Sequence, residues 1–170
     1  MSDRWQGRRR PPRAGEEKES LEGWLDFHRD TLLWKVVGLT DDDLTRSVIP
    51  SGWSLLGLIK HMGWVERGWF ANGFADLRLP DPWTKEDPDS DWRIEPGETR
   101  QGILGFYRDE CERSRVITQA ASLDDLACGP DLPPDGLNLR WIMLHMIEET
   151  ARHNGHADIV RELIDGKTGD

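Results

Sequence analysis

The sequence has few cysteines and no long apolar run, and both absences limit what the protein can be. Only two cysteines, Cys111 and Cys128, occur among 170 residues, and they lack a Cys-x-x-Cys spacing. This excludes a disulfide framework and fits a reducing compartment, so we expect a cytoplasmic protein. Since no run of about 18 apolar residues is present, we also expect no membrane-spanning helix and no membrane partner.

The first fifteen residues differ in charge from the rest of the chain. They contain five arginines and one acidic residue, whereas the remainder carries 17 basic and 31 acidic residues. Such an acidic remainder repels phosphate backbones, so no nucleic-acid partner is expected. No apolar segment follows the arginines, which argues against a signal peptide. We therefore predict a disordered basic arm over residues 1–15 and a single domain over residues 16–170.

Helical periodicity dominates this domain, and no strand pattern of convincing length interrupts it. Apolar residues recur at three- and four-residue steps in four segments, which predicts helices over about 17–37, 54–73, 98–121 and 138–165. Loops rich in Pro and Asp separate the last three segments. The pattern predicts an all-α fold, a four-helix bundle with long crossover loops. Long ordered loops often cover functional sites, and the loop over residues 77–97 contains Trp83 and Trp92.

Three side chains of the predicted helices are typical metal ligands. Glu149 and His153 are four residues apart on the fourth helix, so both point to the same face. His61 lies on the apolar face of the second helix. Two imidazoles and one carboxylate bind a divalent cation and leave a coordination position open for water or substrate. Zinc is the expected metal, and nickel or iron would accept the same ligands.

The same residues also have less specific interpretations. A Glu-x-x-x-His pair on a helix is often an exposed ion pair, and a core histidine such as His61 is often a hydrogen-bonded packing residue. His145 precedes Glu149 by one turn, and His156 follows His153 by three residues. Both are candidates for contact with a metal ligand or with substrate. Either could instead complete a closed structural site with four protein ligands.

Two phrases of the sequence resemble the DinB-like (damage-inducible) family of metalloenzymes, which are four-helix bundles with a three-ligand metal site. They are SLLGLIKHMGWVERGWF in the second predicted helix and HMIEETARHNGHADIVRE in the fourth. The family pattern has one histidine in the second helix, matched by His61. In the fourth helix it has His-x-x-x-His followed by x-Gly, and His153 with its following Asn-Gly matches the last part. Glu149 stands where many members have histidine, which is similar to the His-Glu-His branch.

That branch includes mycothiol-dependent isomerases and thiol transferases, and the phrase EETARHNGHADIVRELIDG also resembles small members labelled mini-circle proteins. The resemblance implies a metal-dependent enzyme that acts on a small molecule with a low-molecular-weight thiol as co-substrate. A metal-dependent hydrolase is one alternative. A non-catalytic, stress-associated binding or dimerisation module, with a structural metal or none, is another, and a homodimer stays open. Neither cysteine stands in a pattern typical of an activated nucleophile, so no catalytic residue is assigned.

Overall fold

A computed structural model of the chain describes residues 7–130, 133 and 135–169, and these residues are largely helical. The α-helices in chain order are α1 (Glu17–Trp34), α2 (Asp41–Thr45), α3 (Leu55–Glu66), α4 (Arg100–Ala120) and α5 (Leu139–Asp165). A π-helix (Arg67–Phe74) continues α3, and a short 3₁₀ turn (Ser90–Trp92) follows in the next loop. The described residues contain no strand beyond one isolated bridge, between Leu126 and Asn138. The predicted all-α fold is confirmed.

Local signals set the ends of the long helices where the sequence predicts them. The Asn138 side chain accepts a hydrogen bond from the backbone N–H of Trp141 at 2.9 Å, and so caps the start of α5. At the other end, Gly166 has a φ of 76°, the left-handed conformation that commonly ends a helix. Thr99 caps α4 in the same way as Asn138, by accepting from the backbone N–H of Gly102 at 3.1 Å.

The second predicted helix differs from the structure from residue 67 onward, where the chain forms the π-helix rather than an α-helix. Loop residues provide partners for its backbone carbonyls: Cys128 N–H donates to Phe74 at 3.0 Å, and Gly129 N–H donates to Gly73 at 2.8 Å. A side chain at position 129 would lie 2.7 Å from a π-helix carbonyl, so only glycine allows this approach. π-Helical segments are frequently found at functional sites.

The described chain divides into two compact units, residues 1–55 with 143–170, and residues 56–142. The first unit contains α1, α2 and most of α5. Its buried apolar side chains are Leu25, Leu32, Val36, Leu39, Leu44, Leu55, Met143, Met146, Ala157 and Val160. Arg161, a buried residue of α5, donates to the carbonyl of Lys35 at 2.6 Å and to that of Val37 at 3.0 Å. These bonds fasten α5 to the end of α1.

Two arginines of the predicted N-terminal arm also contact α1. Arg8 is 8% exposed, and its guanidinium lies 4.8 Å from the ring centroid of Trp34. The Arg9 side chain donates to Asp30 at 3.0 Å. Arg8 is thus buried against the aromatic side chains of α1, whereas Arg9 stays exposed and pairs with a carboxylate of the same helix. Residues 1–6, which also belong to the predicted disordered arm, lie outside the described residues.

The second unit contains most of α3, the π-helix, α4 and the first turn of α5. Its fully buried apolar side chains are Leu56, Leu58, Ile59, Met62, Phe70, Tyr107, Leu139 and Ile142. A side-chain carbon at Gly63 would lie 2.6 Å from the Phe106 ring, so the glycine allows α3 and α4 to pack closely. No helix among the described residues combines the length and apolar character needed to cross a bilayer.

Candidate metal centre

His61 of α3 is held by two residues of the following loop. Its Nδ1 lies 2.6 Å from Oδ2 of Asp91, and its ring stacks on that of Trp92 with centroids 3.9 Å apart. A carboxylate accepts hydrogen bonds, so its position beside Nδ1 favours the tautomer with the proton on Nδ1 and the lone pair on Nε2. Histidines that bind metals commonly have this arrangement, in which a carboxylate fixes the ring and the opposite nitrogen faces the cation.

Asp91 is a site residue that the sequence analysis missed. Its side chain is 1% exposed, and its Oδ1 is buried with no hydrogen-bond partner among the described residues. A buried carboxylate with one unsatisfied oxygen is costly unless positive charge lies nearby. A cation bound to His61 would supply such charge. The loop contains several aspartates, and no spacing distinguishes Asp91, which is 30 residues from His61 in sequence.

Glu149 and His153 form the second part of the candidate centre. They lie one turn apart on α5, and His153 Nε2 is 3.1 Å from Glu149 Oε1. Two ligands of one tetrahedral metal, each bonded at ~2.0–2.2 Å, are roughly 3.3 Å apart. The spacing therefore fits two ligands of one ion, although it also fits a helical ion pair. Both side chains are largely shielded from solvent, with exposures of 23% for Glu149 and 10% for His153.

The residues after His153 attach this part of α5 to its surroundings. Asn154 is 5% exposed, and its side-chain amide donates to the backbone carbonyl of His28 in α1 at 3.0 Å. The exposed His156 has its ring centroid 5.5 Å from that of His153 and 6.4 Å from that of Trp53. Asn154 thus has a structural partner, whereas His156 lies beside the candidate ligand at the surface.

One ligand-type atom from each of His61, Glu149 and His153 lies within 4.8 Å of the other two. Among the described residues this group has three members, and it includes neither His145 nor His156. His145 is half-buried in α5, and its predicted contact with a ligand or substrate stays a prediction, as does that of His156. Three protein donors are typical of a site that keeps a position open, whereas structural zinc sites have four.

Comparisons with known proteins agree with this fold. A sequence model of the mycothiol-S-transferase family matches residues 20–166, a range that includes all three candidate ligands. The solved structure of a conserved protein from Enterococcus faecalis is 17% identical, with a TM-score of 0.61. That similarity covers 91% of this chain and 100% of that one, and it concerns the fold alone. No curated protein matches the sequence. The long family match shows that the chain belongs to the mycothiol-S-transferase family, within the DinB-like group.

Proposed function

We propose that the protein is a metal-dependent transferase that joins a low-molecular-weight thiol of the mycothiol class to a small electrophilic substrate. The observation that carries this proposal is the grouping of two imidazoles and one carboxylate within 4.8 Å in a member of this family. We assign His61, Glu149 and His153 as the ligands of a divalent cation. Zinc is the first choice for these donors, and nickel or iron would also fit.

The three proposed ligands do not fully neutralise a divalent cation, so the bound ion keeps positive charge that can stabilise a thiolate. A divalent cation with one carboxylate and two neutral imidazoles keeps a net charge of about +1, which favours the thiolate over the thiol at neutral pH. Asp91 keeps the His61 proton on Nδ1 and so fixes the ring orientation. Trp92 covers the face of that ring and excludes water from it. Each of these roles belongs to the protein and does not depend on the identity of the substrate.

The nucleophile in this proposal comes from the co-substrate. Cys111 is buried in α4, Cys128 is exposed in a loop, and neither belongs to the group of ligand-type atoms. In the transfer, the thiolate sulfur forms a bond to an electrophilic carbon of the substrate. The leaving group departs with its bonding electron pair, and the thiol proton passes to solvent. The products are a thioether and the released leaving group.

A thiol-dependence assay tests the proposal. Purified protein with one equivalent of zinc is incubated with mycothiol and monochlorobimane, and the thioether is measured by mass spectrometry. We expect faster thioether formation than in the protein-free reaction, and a return to that background rate in His153→Ala. Consumption of the electrophile without added thiol would instead identify a hydrolase. If the protein binds zinc but accelerates neither reaction over a panel of electrophiles, the metal is structural and the transferase proposal fails.

A further inference from the structure

A cavity of about 620 Å³ lies within the second unit, apart from the candidate ligands. The π-helix forms one side, the loop after it forms another, and Gly129 and Pro130 complete the wall. This volume is within the range of sites that bind small molecules. We infer that the cavity is a binding site for an organic cation, held between indole rings and a carboxylate.

Two tryptophans provide the aromatic surface of the cavity. Trp69 comes from the π-helix and Trp83 from the following loop. The Trp83 ring lies over Gly68, where a side-chain carbon would be 3.6 Å from the ring edge. Trp is the aromatic side chain that attracts cations most strongly, because its ring face carries negative electrostatic potential. The apolar walls therefore favour a ligand with a compact, weakly hydrated positive charge.

The charged side chains of the cavity favour a cation over an anion. Asp76 accepts two hydrogen bonds from Arg78, both at 3.1 Å, so these two charges largely compensate each other. Asp81 also lines the cavity, and it has no ion-pair or hydrogen-bond partner among the described residues. One carboxylate is thus left uncompensated beside the tryptophans. A positively charged ligand would pair with it, whereas a carboxylate ligand would be repelled.

Hydrogen bonds hold the loop that forms the cavity. The Asn72 side chain donates to the carbonyl of Leu79 at 2.9 Å and accepts from its N–H at 2.8 Å. Arg67 donates to the carbonyl of Pro80 at 3.0 Å. The loop also holds Asp76 at a φ of 49°, which is unusual outside glycine and is often found at ligand sites. The cavity is therefore formed before a ligand arrives, which lowers the entropic cost of binding.

The position of the cavity suggests how it would serve the reaction. Val65 lines it and follows His61 by four residues, so both lie on one face of α3. If the transferase proposal holds, the bound cation would be a positively charged group of the substrate. Binding of the cation itself involves none of the three candidate metal ligands, so the two proposals can be tested separately.

Calorimetric titration of the metal-free, full-length protein tests the inference with benzyltrimethylammonium, benzyl alcohol and benzoate as probes. We expect the cation to bind roughly tenfold more tightly than the alcohol, and benzoate to bind most weakly. Asp81→Asn should weaken cation binding by about fivefold. Asp109→Asn, at an exposed residue of α4 outside the cavity, makes the same charge change and should have no effect. Trp83→Leu should lose more affinity than Trp83→Phe, which keeps an aromatic face.

Equal or stronger binding of benzyl alcohol or benzoate would overturn the inference, as would no binding of the cation. An Asp81→Asn protein that binds the cation as tightly as wild type would also overturn it. Circular dichroism and thermal unfolding of each variant establish that the fold is retained. Since the titration uses metal-free protein, a negative result leaves the thiol-dependence assay unaffected. Failure of that assay, in turn, leaves the cation measurement valid.

Discussion

The two parts of the candidate metal centre are held in different ways. On α5, Glu149 and His153 meet because a helix places residues four apart on one face, and their atoms lie 3.1 Å apart within a single turn. On α3, His61 depends on Asp91 and Trp92, which follow it by 30 and 31 residues. One part is thus positioned by local geometry, and the other by a loop that must fold back onto its helix.

This difference separates two kinds of mutational effect. Changes to a ligand should abolish metal binding in either part. Changes to supporting residues should matter mainly at His61, because Asp91 and Trp92 of the loop contact its ring and help to fix its orientation. The α5 pair needs less support, since helical geometry already sets its spacing. Three predictions test this contrast, from the largest expected effect to the smallest, and a fourth, smaller one concerns the stability of the first unit.

Removal of a ligand should have the largest effect. We expect His61→Ala or His153→Ala to weaken zinc binding by more than about 100-fold, beyond what loss of a supporting residue costs. Competition with a chromophoric chelator measures this affinity. His156→Ala is the matched control, because His156 lies beside His153 but outside the ligand group, and it should bind zinc like wild type. Full zinc affinity in the His61→Ala protein would show that the assignment of His61 is wrong.

Asp91→Asn should have the next largest effect. Loss of the negative charge beside His61 should weaken zinc binding by about 10–100-fold, while the helical content stays unchanged. NMR of the histidine nitrogens provides a second readout, because the variant should no longer hold the His61 proton on Nδ1. Asp89→Asn is the control, an exposed aspartate two residues away. If Asp91→Asn changes neither the zinc affinity nor the His61 tautomer, the carboxylate has only a packing role.

Trp92→Leu should have a smaller effect. It removes the ring that stacks on His61 but leaves Asp91 in place, so we expect about fivefold weaker zinc binding, consistent with loss of one aromatic pair. Trp83→Leu changes another tryptophan of the same loop, outside the ligand group, and should leave zinc affinity unchanged. Equal losses in the two variants would mean that the loop responds to any tryptophan substitution, rather than supporting His61 specifically.

The smallest effect concerns acid stability at the α1 contact with α5. Burial lowers the pKa of His28 from its ordinary value of 6.5, because a buried imidazole resists protonation. Below pH 6.5 the unfolded chain therefore binds more protons than the folded one, and stability falls as the pH decreases. We expect the melting temperature of wild type to drop more between pH 7.5 and 5.5 than that of His28→Gln. Equal drops in the two proteins would contradict this role.

The parts of the fold that sequence predicts well depend on local signals. Apolar spacing indicates the long helices, and Asn138 and Gly166 mark the ends of α5 because caps act within a turn of the residue that forms them. The pairing of Glu149 with His153 is visible for the same reason. The place of His61 on the apolar face of the second predicted helix makes it a candidate partner, and the family resemblance implies the same role.

The parts that sequence does not reveal depend on contacts between distant residues. The π-helix receives hydrogen bonds from Cys128 and Gly129, more than fifty residues later. Asp91 cannot be told apart from the other aspartates of its loop until the chain folds back onto α3. The cavity of the second unit likewise combines the π-helix, its loop and the Gly129 segment, so no single stretch of sequence predicts it.

Metal content per chain tests the central claim most directly. Untagged wild-type protein, Glu149→Ala and Glu148→Ala are each loaded with zinc, dialysed and analysed by mass spectrometry. Glu148 is the adjacent carboxylate, exposed and outside the ligand group, so its variant controls for loss of a negative charge on α5. We predict about one zinc per chain in wild type and in Glu148→Ala, and little in Glu149→Ala. Equal zinc in all three proteins, or zinc in none, would contradict a centre formed by His61, Glu149 and His153.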